Sequence, residues 1–151
     1  MENVPDVDKR RPRMSTAADV MTPSPRTCSP FSSVLEAVLI FRDADCGAVP
    51  VVDAGQPIGI LTDRDLALAL AEHPDLLSRP VSDIMSKGVI TIAPTATLEE
   101  VKEQFGIHSV RRLLVADPSG VLLGIVAYAD IAPYLPDREI GEVVTEVVQR
   151  P

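Results

Sequence analysis

The chain has 151 residues, 46% of them hydrophobic and 3% aromatic, with no Trp and a formal net charge of −8. That is enough apolar material for one ordinary domain or two small ones with an aliphatic core, and too few aromatics to stack single-stranded nucleic acid. The acidity argues against nucleic acid or an anionic membrane as the main partner, because both demand a basic footprint, so any phosphate must be held locally.

Residues 1–14 carry a basic cluster, Lys9, Arg10, Arg11 and Arg13, with no apolar run after it, and read as a flexible tail rather than a secretory signal. No stretch of the chain has the apolar length of a membrane span, and the expected compartment is the cytoplasm. A short segment carrying ADVM, residues 18–21, leads through a Pro/Ser/Thr stretch into a helix with Val34, Leu35, Val38 and Leu39 at helical spacing. Val49 to Val52 is a β-branched run broken only by Pro50, the mark of a buried strand. Asp53-Ala54-Gly55 marks a turn, Ile58 to Leu61 a second strand, and Thr62 opens a helix that His73 and Pro74 close.

The same order then returns. SDIM at 82–85 answers ADVM, a helix is expected from about Leu98, strands near Leu113–Val115 and Leu122–Val126 flank a turn at Asp117–Gly120, and a last helix begins near Ala129. GILTDRDL at 59–66 is answered by GIVAYADI at 124–131. Four blocks in one order, with small insertions and deletions between them, are the mark of a duplicated unit. One unit alone buries too little surface to be stable, so the two are expected to pack sheet to sheet as one module. Beyond residue 136, Ile140, Val143, Val144, Val147 and Val148 predict a final amphipathic helix whose stripe fits either its own domain or a partner subunit.

Cys28 and Cys46 lack CxxC spacing, and with His73 and His108 as the two histidines no metal cluster is apparent. The pair reads as two ordinary thiols, with a redox-sensitive disulfide as the alternative. No serine-hydrolase elbow, phosphate-binding Walker loop or HExxH is present, and His108 beside Ser109 reads as structural, so catalysis is not expected.

Thr62 and Asp65 admit two readings. Thr followed three residues later by an acid is a capping box that finishes a helix. The same junction of strand and helix leaves N–H groups and a positive dipole end for a phosphate, with Asp65 placed to accept from ribose hydroxyls and Gly59 allowing close approach. Arg111 and Arg112, just ahead of an apolar strand, are costly to bury alone and fit either phosphate contact or salt bridges. Arg64, on the first helical turn, is a weaker candidate that solvent would also accommodate.

These blocks, with GILTDRD matching Gly-hydrophobic-hydrophobic-Thr/Ser-x-x-Asp, resemble tandem cystathionine β-synthase (CBS) domains, the pair called a Bateman module. The resemblance spans about residues 15–135 and is strongest to small stand-alone hypoxic response proteins, which share the TDRD, VRR and ADIAxxLP phrases. It implies an α/β fold of two βαββα-type repeats, 15–75 and 76–136, followed by a C-terminal helix over 137–151. It implies an adenine nucleotide or S-adenosylmethionine as regulatory ligand with no obligatory cofactor, a disc-like homodimer, and an unknown effector protein that takes the signal. On these residues Asp65 and Asp130 become ribose contacts and Thr62 a phosphate contact. Arg111 and Arg112 correspond to a basic pair that touches phosphate in the regulatory subunit of AMP-activated protein kinase. Ala127 stands where the second motif would have its hydroxyl, which implies a weaker or different second site.

Overall fold

The structure, a computed structural model, describes residues 15–135; the basic tail and the predicted C-terminal helix lie outside them. The first half comprises α1 (Ala17–Val20), β1 (Thr22–Pro23), α2 (Val34–Ala44), β2 (Ala48–Asp53), β3 (Gln56–Thr62) and α3 (Asp63–Glu72). Two short 3-10 turns, Leu76–Ser78 and Val81–Asp83, lead to β4 (Thr91–Ile92), α4 (Leu98–His108), β5 (Arg112–Ala116), β6 (Leu122–Ala127) and α5 (Tyr128–Ile131). This is the expected α/β pair of repeats.

Each long helix starts where a hydroxyl can satisfy an orphan N–H. Ser33 accepts from the Glu36 N–H at 3.2 Å, and Thr97 accepts from the Glu100 N–H at 3.1 Å. The two hairpins differ in their turns. Ala54 and Gly55 both have positive φ, 52° and 81°, as a two-residue turn matched to strand twist requires. In the second hairpin Asp117 Oδ1 accepts from the N–H of Ser119 and of Val121, and the longer loop accounts for the extra residue between the copies.

Neither half is self-contained. The second sheet runs β1-β6-β5-β4, with β1 from the first half antiparallel on β6 and β4 parallel on β5. Around the β2-β3 hairpin the same lanes recur as single bridges, Ser86 antiparallel to Ile60 and Cys28 parallel to Val51. Each lead-in segment therefore docks on the other repeat's sheet. The cores record the exchange: Ala17 is buried with Phe105, Leu113, Val115, Val126 and Ile131, while Val81 is buried with Val49, Val51 and Leu61. Backbone bonds repeat the symmetry, with Ala17 N–H donating to Ala96 O and Ala18 N–H to Pro94 O on one side, and Val81 N–H to Ser32 O and Ser82 N–H to Pro30 O on the other.

The motif glycines are spaces for these guests. A Cβ on Gly59 would lie 2.6 Å from Met85 Sδ and 3.0 Å from Ser86 O, and one on Gly124 would collide with Met21. The close approach expected at Gly59 is thus made by the other repeat's methionine and backbone. Two expectations are corrected. Leu35 and Leu39 do not join Val34 in the core but are 45% and 38% exposed, because the helix turns Val34 and Ala37 inward. The helix expected from Ala129 is a single turn followed by a 3-10 turn, Ala132–Tyr134, since Pro133 cannot continue an α-helix.

Candidate functional site

Thr62 ends β3 and is the N-cap of α3. Its hydroxyl accepts from the Asp65 N–H at 3.1 Å, and Asp65 Oδ2 accepts from the Thr62 N–H at 2.9 Å. The capping box is therefore formed in full. It does not consume the carboxylate: both Asp65 oxygens also accept weakly from the Ser86 hydroxyl, at 3.2 and 3.3 Å. Ser86 is held there by the paired bonds between its backbone and Ile60, 2.9 and 3.0 Å.

These groups line a cleft of about 610 Å³ between the repeats, with Ile60, Ile90, Val110 and Leu114 as its apolar wall and Arg64, Lys87, Arg111 and Arg112 as its cations. The volume lies in the range of small-molecule and cofactor pockets. Every first-half and arginine candidate named from the sequence, Thr62, Arg64, Asp65, Arg111 and Arg112, meets in this one place. The four ion pairs among the described residues, Arg42–Asp43, His73–Glu72 and Arg79 with Asp75 and Asp83, include none of the cleft's cations. Arg111 and Arg112 are therefore not held in salt bridges there. Sequence reasoning missed Ser86 and Lys87, although SDIMSK follows the repeated Asp-hydrophobic-Met phrase and so marks the segment that docks on β3.

Asp130 occupies a different cleft, of about 420 Å³, with Thr22, Pro23, Ser24, Pro25, Arg26, Cys46, Gly47, Ala127 and, again, Arg112. It keeps half of the box, Oδ2 accepting from the Ala127 N–H at 2.7 Å. The methyl of Ala127 offers no acceptor to the first turn and no donor to a ligand. By the repeat's own spacing, Arg26 stands where the first cleft has Ile90, Cys46 where it has Val110, and Gly47-Ala48 where it has the arginine pair. The second cleft is thus poorer in cations.

Cys28 and Cys46 are both free thiols. Cys28 lies beside Val51, while Cys46 precedes β2, so the strand's rise of about 3.3 Å per residue separates them. Burial, helped by the Glu36 carboxylate, pushes the Cys28 thiol up to about 11. His108 bonds the Gln104 side chain at 3.0 Å on the exposed face of α4 and is not among the residues that line the cleft. No cluster of three or more metal-ligating side chains occurs among the described residues. No helix among them is long and apolar enough to cross a membrane.

Duplicated sheets that trade lead-in segments around two clefts define a paired two-repeat module, and the comparisons agree. The CBS-domain family model matches residues 17–72 and 81–137, and the chain belongs to that family, with two copies in tandem. It is 34% identical over 135 residues to CBS domain-containing protein YhcV of Bacillus subtilis, covering 89% of this chain and 96% of that one. It is 29% identical over 136 residues to hypoxic response protein 1 of Mycobacterium tuberculosis, covering 89% and 94%. Among solved structures, CBSX2 in complex with AMP superposes with a TM-score of 0.66 at 27% identity, over 79% of this chain and 94% of that one. The CBS pair of MJ0100 in complex with 5′-methylthioadenosine and S-adenosyl-L-methionine gives 0.70 at 27%, over 79% and 98%.

Proposed function

We propose that this chain is a non-catalytic regulatory module that binds a phosphate-bearing adenine nucleotide in the Thr62–Asp65 cleft and reports its occupancy to a partner protein. The observation that carries the reading is the gathering of Arg64, Lys87, Arg111 and Arg112 around one apolar-walled cleft with none of them in an ion pair among the described residues. Asp63 and Asp65 line the same cleft, so its four cations exceed its carboxylates by two, and in a chain of net charge −8 that local excess favours an anion. Adenine takes the wall of Ile60, Ile90, Val110 and Leu114, Asp65 exchanges the Ser86 hydroxyl for the ribose diol, and the arginines take phosphate as charge-assisted bonds. The N-terminus of the ten-residue α3 adds its dipole to the same charge.

The AMP bound by CBSX2 fits this chemistry. S-adenosylmethionine, found with the MJ0100 pair, fits less well, since a sulfonium cation would meet a lining in which four cations outnumber two carboxylates. A ligand that touches both repeats favours one relative arrangement of them, which is how occupancy becomes a signal. The output is expected to pass through a homodimer in the cytoplasm to an effector protein.

The second reading is a dimerising scaffold with decayed sites, favoured by Ala127 and by the exposed Leu35 and Leu39 of α2. Isothermal titration with AMP, ATP, S-adenosylmethionine and adenosine separates the two. The nucleotide reading expects binding of AMP or ATP at least tenfold tighter than of adenosine or S-adenosylmethionine, with a ligand-dependent rise in melting temperature. Silence with all four leaves the scaffold.

A further inference from the structure

We infer that Arg112 is a cation held in common by the two clefts, so that a phosphate-bearing ligand in one cleft weakens the binding of a second phosphate-bearing ligand in the other. The inference rests on the nucleotide reading of the first cleft and adds to it a sign for the interaction between sites.

Arg112 opens β5 and is half-buried, and its side chain lines both the Thr62–Asp65 cleft and the Ala127–Asp130 cleft. Its guanidinium lies over Gly47, at the lead into β2: a Cβ there would be 3.0 Å from Nη2, with Asp63 Oδ2 4.0 Å away. Gly47 thus makes room for a side chain that reaches across from one repeat into the other repeat's cleft. No ion pair among the described residues fixes it on either side, so it is available to whichever cleft holds an anion.

The clefts do not depend on it equally. The first has Arg64, Lys87 and Arg111 besides, the Thr62 hydroxyl, and the end of a ten-residue helix. The second has Arg26 as its one other cation, and Ala127 in place of the hydroxyl, and its helix α5 is only four residues long, too short to supply a useful end charge. A phosphate in the first cleft that recruits Arg112 removes most of what the second has to offer an anion. A guanidinium has five donors in one plane and could touch two phosphates at once. That arrangement brings two anions together, and their repulsion gives the same negative sign. The penalty must be reciprocal, because it is a property of the doubly occupied state.

The experiment is calorimetric titration of the full chain with AMP, compared with Asp65→Ala, Arg112→Gln and the Asp65→Ala/Arg112→Gln pair. In the unaltered chain a tight first step is followed by a weak second. In Asp65→Ala, with the first cleft weakened and Arg112 intact, the step that a further Asp130→Ala change abolishes, and that therefore belongs to the second cleft, is expected to bind AMP about tenfold tighter than that second step, the scale of one charged hydrogen-bonding partner. Adding Arg112→Gln takes the gain away, and adenosine, lacking phosphate, shows no such difference. If the unaltered chain binds no AMP, the nucleotide reading itself falls. If it binds AMP and the second-cleft affinity is the same with and without a working first cleft, the shared cation alone is refuted. Asp65→Ala leaves Arg112 untouched, so the central comparison stands even if Arg112→Gln folds poorly.

Discussion

Replacing Asp65 separates the helix-capping and ligand-binding duties that share its carboxylate. Without nucleotide, Asp65→Ala removes the acceptor for the Thr62 N–H and for the Ser86 hydroxyl and one acid from the first turn of α3. Loss of the capping interaction costs about 1 kcal/mol, and the dipole contribution adds about 0.3–1 kcal/mol. For a chain of this size about 1–2 kcal/mol lowers the melting temperature by roughly 2–8 °C. The fold is expected to survive, since the side chain is outside the buried cores. Binding should suffer more. Two ribose hydroxyls donating to a carboxylate contribute about 1.5–3 kcal/mol for each charged bond, so AMP affinity in the first cleft should fall at least tenfold, and a hundredfold if both bonds are made. Thr62→Ala is the control for stability, because it removes a cap acceptor of similar value; any AMP affinity it loses belongs to the phosphate and not to the ribose. Urea unfolding without ligand and titration with AMP give the two numbers separately. If Asp65→Ala and Thr62→Ala lost stability alike and Asp65→Ala kept its AMP affinity within threefold, the carboxylate would be a helix cap and nothing more.

Gly59→Ala should destabilise by about 1–3 kcal/mol through overpacking against Met85, and the double change Gly59→Ala/Met85→Ala should recover part of it in a double-mutant cycle of urea midpoints; additive losses would mean the two do not touch. Cys28 gives a pH dependence of defined sign. Its folded pKa is raised from 9.0 to about 11, so the unfolded thiol ionises first and stability is lost as pH rises from about 9 toward 11, with no effect below. Thermal melts of Cys28→Ala should lack that portion of the alkaline decline, and parallel curves would remove the assignment. Ala127→Thr should raise the melting temperature by a few degrees through a new cap to α5 and tighten the second cleft for AMP; a stability gain with no change in binding would place the second cleft's defect at Arg26 or Gly47 instead.

The parts of this molecule that were legible in its sequence are those fixed by neighbours along the chain. Thr62 and Asp65 are three residues apart, and their reciprocal bonds form wherever a strand hands over to a helix, so spacing alone predicts them. The Asp53–Gly55 turn and the β2-β3 hairpin follow for the same reason. β1 and β4 carry no such sign, because two residues have no periodicity, and their place is dictated by a sheet edge offered by distant strands. Gly59 announced a close approach but not by whom; Met85 is 26 positions further on. Leu35 and Leu39 have the spacing of a core stripe yet stay exposed, since an apolar pattern says which face prefers burial and not whether a neighbour exists to cover it. In the first cleft the arginines were visible as an expensive pair before an apolar strand. Lys87 and Ser86 were not, because their membership depends on the exchange of segments.

That exchange ties the stability of the module to its binding. The segment that plugs Met85 onto Gly59 continues as Ser86, Lys87 and Gly88, the rim of the first cleft, and the segment that plugs Met21 onto Gly124 continues as Thr22 through Arg26 in the second. Each cleft is therefore walled by a repeat and by the other repeat's lead-in strand, so neither can be complete while the repeats are apart. A ligand gripping Asp65 on one side and the lysine-bearing rim on the other bridges the joint that holds the two halves together. On the proposed nucleotide reading, ligand binding and repeat association reinforce each other through the same few residues, and the module responds to a small molecule as a unit.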